Sequence, residues 1–153
     1  MTRSVGDPAP TITAPNQDGE ERTLSFEDPT VLYFYPADDT PGCTLEARQF
    51  QLERETYEDA GVEVYGVSTD DVDSHQSFCE QEGLEFDLLA DPDAEIAEAY
   101  DVELYDEYGT TKRTTFFLAD GEVKAVYEGV DPDGHARDVL LDALDEGLVT
   151  LPE

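Results

Sequence analysis

Apolar positions along the chain change period several times, and each change predicts an element. Thr30-Val-Leu-Tyr-Phe-Tyr35 is an unbroken β-branched and aromatic run closed by Pro36, the pattern of a central strand covered on both faces. After the loop 36–42, the stretch from Cys43 to about Asp59 reads as one helix, with Ala47, Phe50 and Tyr57 on one side, acids on the other, and Gly61 as its stop. Val62 to Val67 forms the next strand, and Ser68-Thr-Asp-Asp71 supplies caps for a helix running to about Glu82, ahead of Gly83. Strand, helix, strand, helix is a parallel α/β signature.

Farther on, Asp91-Pro92 opens a short helix with Ile96, Ala97 and Tyr100 inward. Thr114–Leu118 and Glu122–Tyr127 flank Asp120-Gly121, a hairpin signal that adds an antiparallel pair. Ala136, Val139, Leu140, Ala143 and Leu144 keep helical spacing behind Asp131-Pro-Asp-Gly134. A buried βαβ core, then a hairpin and a terminal helix, is the order of elements in a thioredoxin-like α/β fold. The expectation is a central mixed β-sheet flanked by helices, with residues 1–29 as an N-terminal extension. With no repeat, linker or composition break, residues 1–153 read as a single domain.

Charge alters the picture of where such a fold works. Asp and Glu number 39 against 8 Lys and Arg, a formal charge of −31, and the lysines are Lys112 and Lys124 alone. Nucleic acid and anionic membranes are disfavoured as partners. The 39% hydrophobic content, eight Tyr and seven Phe argue against disorder, so the acid belongs on the surface. Repulsion at this density is relieved in molar salt, where the Debye length is about 3 Å, and the spread of the charges points to a high-salt cytoplasm over a dedicated acidic patch. No run approaches the ~18 apolar residues of a membrane span, and Met-Thr-Arg-Ser-Val-Gly-Asp-Pro lacks the apolar stretch of a secretion signal. The cytoplasm is therefore the expected location.

The chain has two cysteines, in no Cys-x-x-Cys pair and at no zinc-like spacing. Cys43 falls where a buried strand has ended, a short loop has turned and a helix begins. Free N–H groups and the helix dipole there favour a thiolate, and such placements lower cysteine pKa values from about 8.5 into the range of about 3.5–7.5. Thr40 can aim a hydroxyl at the sulfur or a bound oxygen, Gly42 allows close backbone approach, and Pro36 and Pro41 stiffen the loop. Local physics leaves a second reading open, in which Cys43 is a small buried hydrophobe at a helix start.

Tyr35-Pro-Ala-Asp-Asp-Thr-Pro-Gly-Cys-Thr-Leu-Glu-Ala47 resembles the Pro-x-x-x-Thr-x-x-Cys signature of peroxiredoxins, and its Thr-Pro-Gly-Cys-Thr-x-Glu-Ala core the bacterioferritin comigratory protein, or peroxiredoxin Q, branch. Further matches are Val5–Pro10, Gly66–Thr69, Ser74-His75, Leu88–Asp91 and Arg113–Phe116. The resemblance implies a peroxidase in which Cys43 is the peroxidatic nucleophile, Thr40 hydrogen-bonds in the peroxide pocket, Pro36 shields it, and Arg113 reaches in from a strand start. A permanent guanidinium beside sulfur stabilises the thiolate and polarises the O–O bond. Glu46 is expected to help hold Arg113. His75 and His135 carry no catalytic expectation, and no metal or organic cofactor is required.

Attack of the thiolate on a peroxide oxygen releases water or alcohol and leaves sulfenic acid. In the branch this sequence resembles, a resolving cysteine often lies five positions later, where this chain has Arg48. Some members resolve from the following helix instead, which implies Cys79. The implied partners are hydrogen peroxide or an alkyl hydroperoxide and a thioredoxin-type reductant, with a monomer as the working unit. Two rival readings are a peroxide-sensing redox relay and a catalytically silent thioredoxin-like domain.

Overall fold

An apolar run without alternation must be covered on both faces, and Thr30–Phe34 is, with no residue more than 3% exposed. The computed structural model describes residues 4–105 and 109–151, so the first three residues of the expected 1–153 unit, its last two and 106–108 lie outside the described residues. In chain order the elements are β1 (Ile12–Pro15), β2 (Glu21–Leu24), β3 (Thr30–Phe34), α1 (Pro41–Leu52), α2 (Arg54–Asp59), β4 (Glu63–Ser68), α3 (Val72–Glu82), β5 (Asp87–Ala90), α4 (Glu95–Ala99), β6 (Thr114–Ala119), β7 (Glu122–Glu128) and α5 (His135–Asp145).

Five strands form one mixed sheet in the order β5-β4-β3-β6-β7. β3, β4 and β5 run parallel, and β6 is antiparallel to both β3 and β7. Side chains alternate along β3. Val31 and Tyr33, with Tyr35 beyond, pack under α1, α2, α3 and α5, whereas Leu32 and Phe34 face α4 and the β1–β2 hairpin. The thioredoxin-like α/β arrangement is thus present, and no helix among the described residues is long and apolar enough to cross a membrane.

Two expectations change. The single helix 43–59 is two, broken at Glu53 (φ −89°, ψ 0°), and it begins earlier, with Pro41 in the first turn, where a missing N–H costs nothing. The break leaves Phe50 and Tyr57 both buried, and the Tyr57 hydroxyl donates to the Ala136 carbonyl on α5 at 2.5 Å. The short helix expected from Asp91-Pro92 starts later, as α4 at Glu95 behind the left-handed Ala94 (φ 56°), with the Asp91 carboxylate accepting from the Ile96 and Ala97 N–H groups; in the N-terminal extension β1 and β2 pair antiparallel around a turn in which Asn16 accepts from the Asp18 and Glu20 N–H groups. The β6–β7 turn obeys its sequence signal: Asp120 and Gly121 have φ of 55° and 70°, the two left-handed residues a type I′ hairpin needs.

Candidate active site

Antiparallel pairing of β3 with β6 sets Phe34 opposite Thr114, so the loop leaving β3 lies beside the residue entering β6. That residue is Arg113. The loop turns through Asp39 in the left-handed region (φ 58°) and reaches the extended Thr40, from which α1 starts. Cys43 is the third residue of α1, among the N–H groups that a first helical turn leaves unpaired, and is 1% exposed.

Arg113 spans the site with both ends of its guanidinium. Nη2 donates to Cys43 Sγ at 3.2 Å and Nη1 to Glu46 Oε1 at 2.9 Å, with the Arg113 side chain 16% and the Glu46 side chain 1% exposed. Burial works against the Arg113 charge, but the Cys43 sulfur and the Glu46 carboxylate outweigh it and hold the guanidinium above its ordinary pKa. Burial pushes Glu46 up to about 7, with Arg113 pulling it back, and Glu46 Oε2 has no hydrogen-bond partner among the described residues. The resulting arrangement can balance a thiolate with a fixed positive charge and offer N–H groups to an oxygen atom arriving at the sulfur.

Gly42 makes the contact possible. A Cβ at this position would stand 2.6 Å from Arg113 Nη2, so the flexible arginine end must yield. Gly42→Ala is therefore expected to keep stability within about 1 kcal/mol while slowing oxidation of Cys43 by peroxide about tenfold, a fraction of the ~10²-fold loss that a 1 Å misplacement can cause. Stopped-flow oxidation beside a denaturant titration checks it, and an unchanged oxidation rate contradicts the packing argument.

Thr40 is engaged with its own loop. Its hydroxyl donates to the Ala37 carbonyl at 3.0 Å, which leaves the hydroxyl oxygen as an acceptor. Pro36, half-buried, comes directly after Tyr35 at the mouth of that loop. Cys79 lies on α3 in the same apolar cluster as Cys43, 7% exposed, and both are free thiols. Burial, with added repulsion from Asp38, Asp87 and Asp18, pushes the Cys79 thiol up to about 12. Arg48, at the position where the near cysteine is absent, forms an ion pair with Glu82 at the end of α3.

Neither histidine turns to Cys43. His135 pairs with Thr115 Oγ1 at 2.8 Å, and burial pushes it down to about 4. His75, fully buried, places Nδ1 2.7 Å from Asp38 Oδ2 and Nε2 3.0 Å from the Leu89 carbonyl. Asp38, Asp70 and His75 have atoms of metal-ligand type within 4.8 Å of one another. Those atoms are already engaged: Asp70 Oδ2 accepts from the Asp38 N–H and from Ser68 Oγ, both at 2.7 Å. Sequence reasoning missed this network; its only signal was Ser74-His75 one strand beyond the Asp-Asp of the loop. A cleft of about 470 Å³ reaches Arg113 through Tyr105, Lys112, Thr114 and Glu128, without Cys43 in its wall.

Comparison with known proteins agrees with this geometry. The family model described as AhpC/TSA matches residues 5–126. Peroxiredoxin Bcp of Escherichia coli (strain K12) is 37% identical over 150 residues, covering 93% of this chain and 96% of its own. The crystal structure of a Xylella fastidiosa PrxQ mutant superposes with a TM-score of 0.89 at 30% identity, over 96% of this chain and 99% of that one. A Xanthomonas campestris bacterioferritin comigratory protein, described for alkyl peroxide reduction, gives 0.83 at 32% identity over 94% and 99% of the two chains. A thiol under an arginine at a helix start, carried on this fold and in this company, places the chain in the AhpC/TSA family, among the Bcp and peroxiredoxin Q thiol-dependent peroxidases.

Proposed function

We propose that Cys43 is the peroxidatic thiol, that Arg113 holds and activates it with Glu46 as the arginine's anchor, and that Cys79 resolves the sulfenic acid within one chain. The observation that carries this reading is the single guanidinium shared between the Cys43 sulfur and the buried Glu46 carboxylate. The thiolate attacks one oxygen of hydrogen peroxide or an alkyl hydroperoxide, the O–O bond breaks, and the departing oxygen takes a proton and leaves as water or alcohol. Arg113 N–H groups face the oxygen on which negative charge develops. Pro36 and the Thr40–Ala37 bond shape the wall of the pocket, the hydroxyl oxygen of Thr40 remaining able to accept from a bound peroxide.

Cys79 is the other thiol of the chain and shares the Cys43 core cluster. Peroxide consumption by reduced protein, with and without a thioredoxin system, tests the cycle. Cys79→Ser is expected to stop at sulfenic acid or pass to sulfinic acid after peroxide addition, with thioredoxin-supported turnover lost, and mass spectrometry reads both. Normal thioredoxin-supported turnover in Cys79→Ser makes Cys79 a packing residue. The unit is read as one domain acting as a monomer in a cytoplasm of high salt. With a formal charge of −31, its melting temperature is expected to climb from low to molar KCl as screening weakens self-repulsion; a flat or falling curve contradicts the salt assignment.

A further inference from the structure

Resolution requires the loop that carries Cys43 to move while staying close to α3, and the structure holds a fastening suited to that. We propose that Asp38 and His75 form a clasp that anchors the loop 36–40 to α3 while the first turn of α1 unwinds, so positioning oxidised Cys43 for Cys79. The inference rests on the reading of Cys79 as the resolving thiol.

The clasp is the firm part of the loop. The Asp38 side chain, 3% exposed, accepts from the Tyr35 hydroxyl at 2.6 Å and Ser74 Oγ at 2.8 Å and meets His75 Nδ1 at 2.7 Å. Its backbone N–H donates to Asp70 at 2.7 Å, and His75 continues to the Leu89 carbonyl of β5. Loop, α3 and sheet are thereby joined through buried bonds that involve ionisable partners, the stronger class. Residues 39–42 are held less firmly than Asp38, with the Thr40 hydroxyl bonded to Ala37 of the same loop, and Cys43 beyond them is held by Arg113. Asp39 is exposed and its bond to Gln81 is a surface one, Pro41 is exposed and brings no N–H, and the first turn of α1 is closed by the Thr44 N–H to the Thr40 carbonyl. An opening confined to residues 39–43 therefore leaves Asp38 in place.

Reach and direction then agree. His75 and Cys79 are four residues apart on α3, on one face and about 6 Å along the axis. Cys43 is five positions beyond Asp38, and an unwound segment of that length spans up to about 17 Å. The freed sulfur can meet Cys79 with the clasp closed. With the clasp closed the free chain runs five positions, from Asp38 to Cys43; without it the chain is still held at Tyr35, whose N–H donates to the Val67 carbonyl and whose carbonyl accepts from Thr111 Oγ1, and the free length is eight. Closure probability scales as the −3/2 power of length, so the clasp raises the encounter about twofold. In the step itself Cys79 sulfur bonds to Cys43 sulfur and the S–OH bond breaks. The hydroxyl leaves with the Cys79 proton as water; the sulfenic sulfur is reduced and the Cys79 sulfur oxidised by one electron each.

Rapid quenching with an alkylating reagent after one equivalent of hydrogen peroxide, followed by mass spectrometry, separates sulfenic acid from disulfide. In Asp38→Ala, sulfenic acid is expected to form at the wild-type rate, disulfide about twofold more slowly, and sulfinic acid to accumulate at correspondingly lower peroxide. Ser74→Ala, which loses one bond of the clasp, is expected to fall between, and it decides the question if Asp38→Ala does not fold. Disulfide formation at or above the wild-type rate in the folded variant overturns the clasp. Absence of a Cys43–Cys79 disulfide in the wild-type protein, with Asp38 intact, overturns the reading of Cys79 and the clasp with it.

Discussion

Cys43→Ser is expected to consume no more peroxide than buffer while keeping the fold. Ser is nearly isosteric with Cys, and at a position 1% exposed in the first turn of α1 a substitution that conserves volume disturbs packing little. The serine hydroxyl also inherits a donor, since Arg113 Nη2 lies 3.2 Å from the sulfur it replaces. Chemistry does not survive the exchange. A serine hydroxyl is not ionised at neutral pH, and among the described residues neither histidine is placed to take its proton, because His75 and His135 are turned to other partners. Oxygen also has no counterpart to sulfenic acid. The measurement is peroxide loss over time beside a thermal melt and a circular dichroism spectrum. Turnover retained by a folded Cys43→Ser protein removes Cys43 from the mechanism.

The range of the forces involved decides how much of this structure is legible in the residues alone. α5 and the β6–β7 hairpin are legible because helical spacing from Ala136 to Leu144 and the Asp120-Gly121 turn are local signals. The break at Glu53 is not, because the apolar positions Phe50 and Tyr57 suit one helix, and the contact of Tyr57 with Ala136 on α5 lies 79 residues away in sequence. The β1–β2 hairpin and β5 are four residues per strand, too short for alternation to stand out.

The site divides the same way. Cys43 at a helix start is a local inference, but Arg113 is 70 residues away and is delivered by the β3–β6 register, so only family resemblance points to it. Thr40 sits in the expected loop, and its bond to the Ala37 carbonyl is a local one that its residue type does not announce. Asp38 is one of 39 acids, and nothing about its type or neighbours foretells a buried carboxylate under the catalytic loop.

Arg113→Ala is the second large effect, and the pairing with Glu46 makes it separable from damage to the fold. Losing a donor aimed at developing negative charge costs about 10²–10³ in rate, or ~2.7–4 kcal/mol, and the same loss is expected in the rate of Cys43 oxidation. Arg113→Lys should recover only part, because one ammonium cannot reproduce two N–H groups directed at Cys43 Sγ and Glu46 Oε1. Removing the arginine also strands a carboxyl that is 1% exposed. The cost of that depends on pH. Burial already raises Glu46 from 4.5 to about 7 with the guanidinium pulling it down, so without Arg113 it goes higher. A carboxyl whose folded value is raised contributes stability below its unfolded value and loses it as pH rises through the folded one. The melting temperature of Arg113→Ala relative to wild type is therefore expected to be nearly level at pH 6 and to fall by pH 8, where one pH unit above the wild-type value of about 7 is worth up to ~1.4 kcal/mol. Adding Glu46→Gln should remove that pH dependence and leave the oxidation rate as low as in Arg113→Ala alone. If the double variant regains the wild-type rate, Arg113 serves only to neutralise Glu46 and takes no part at the sulfur.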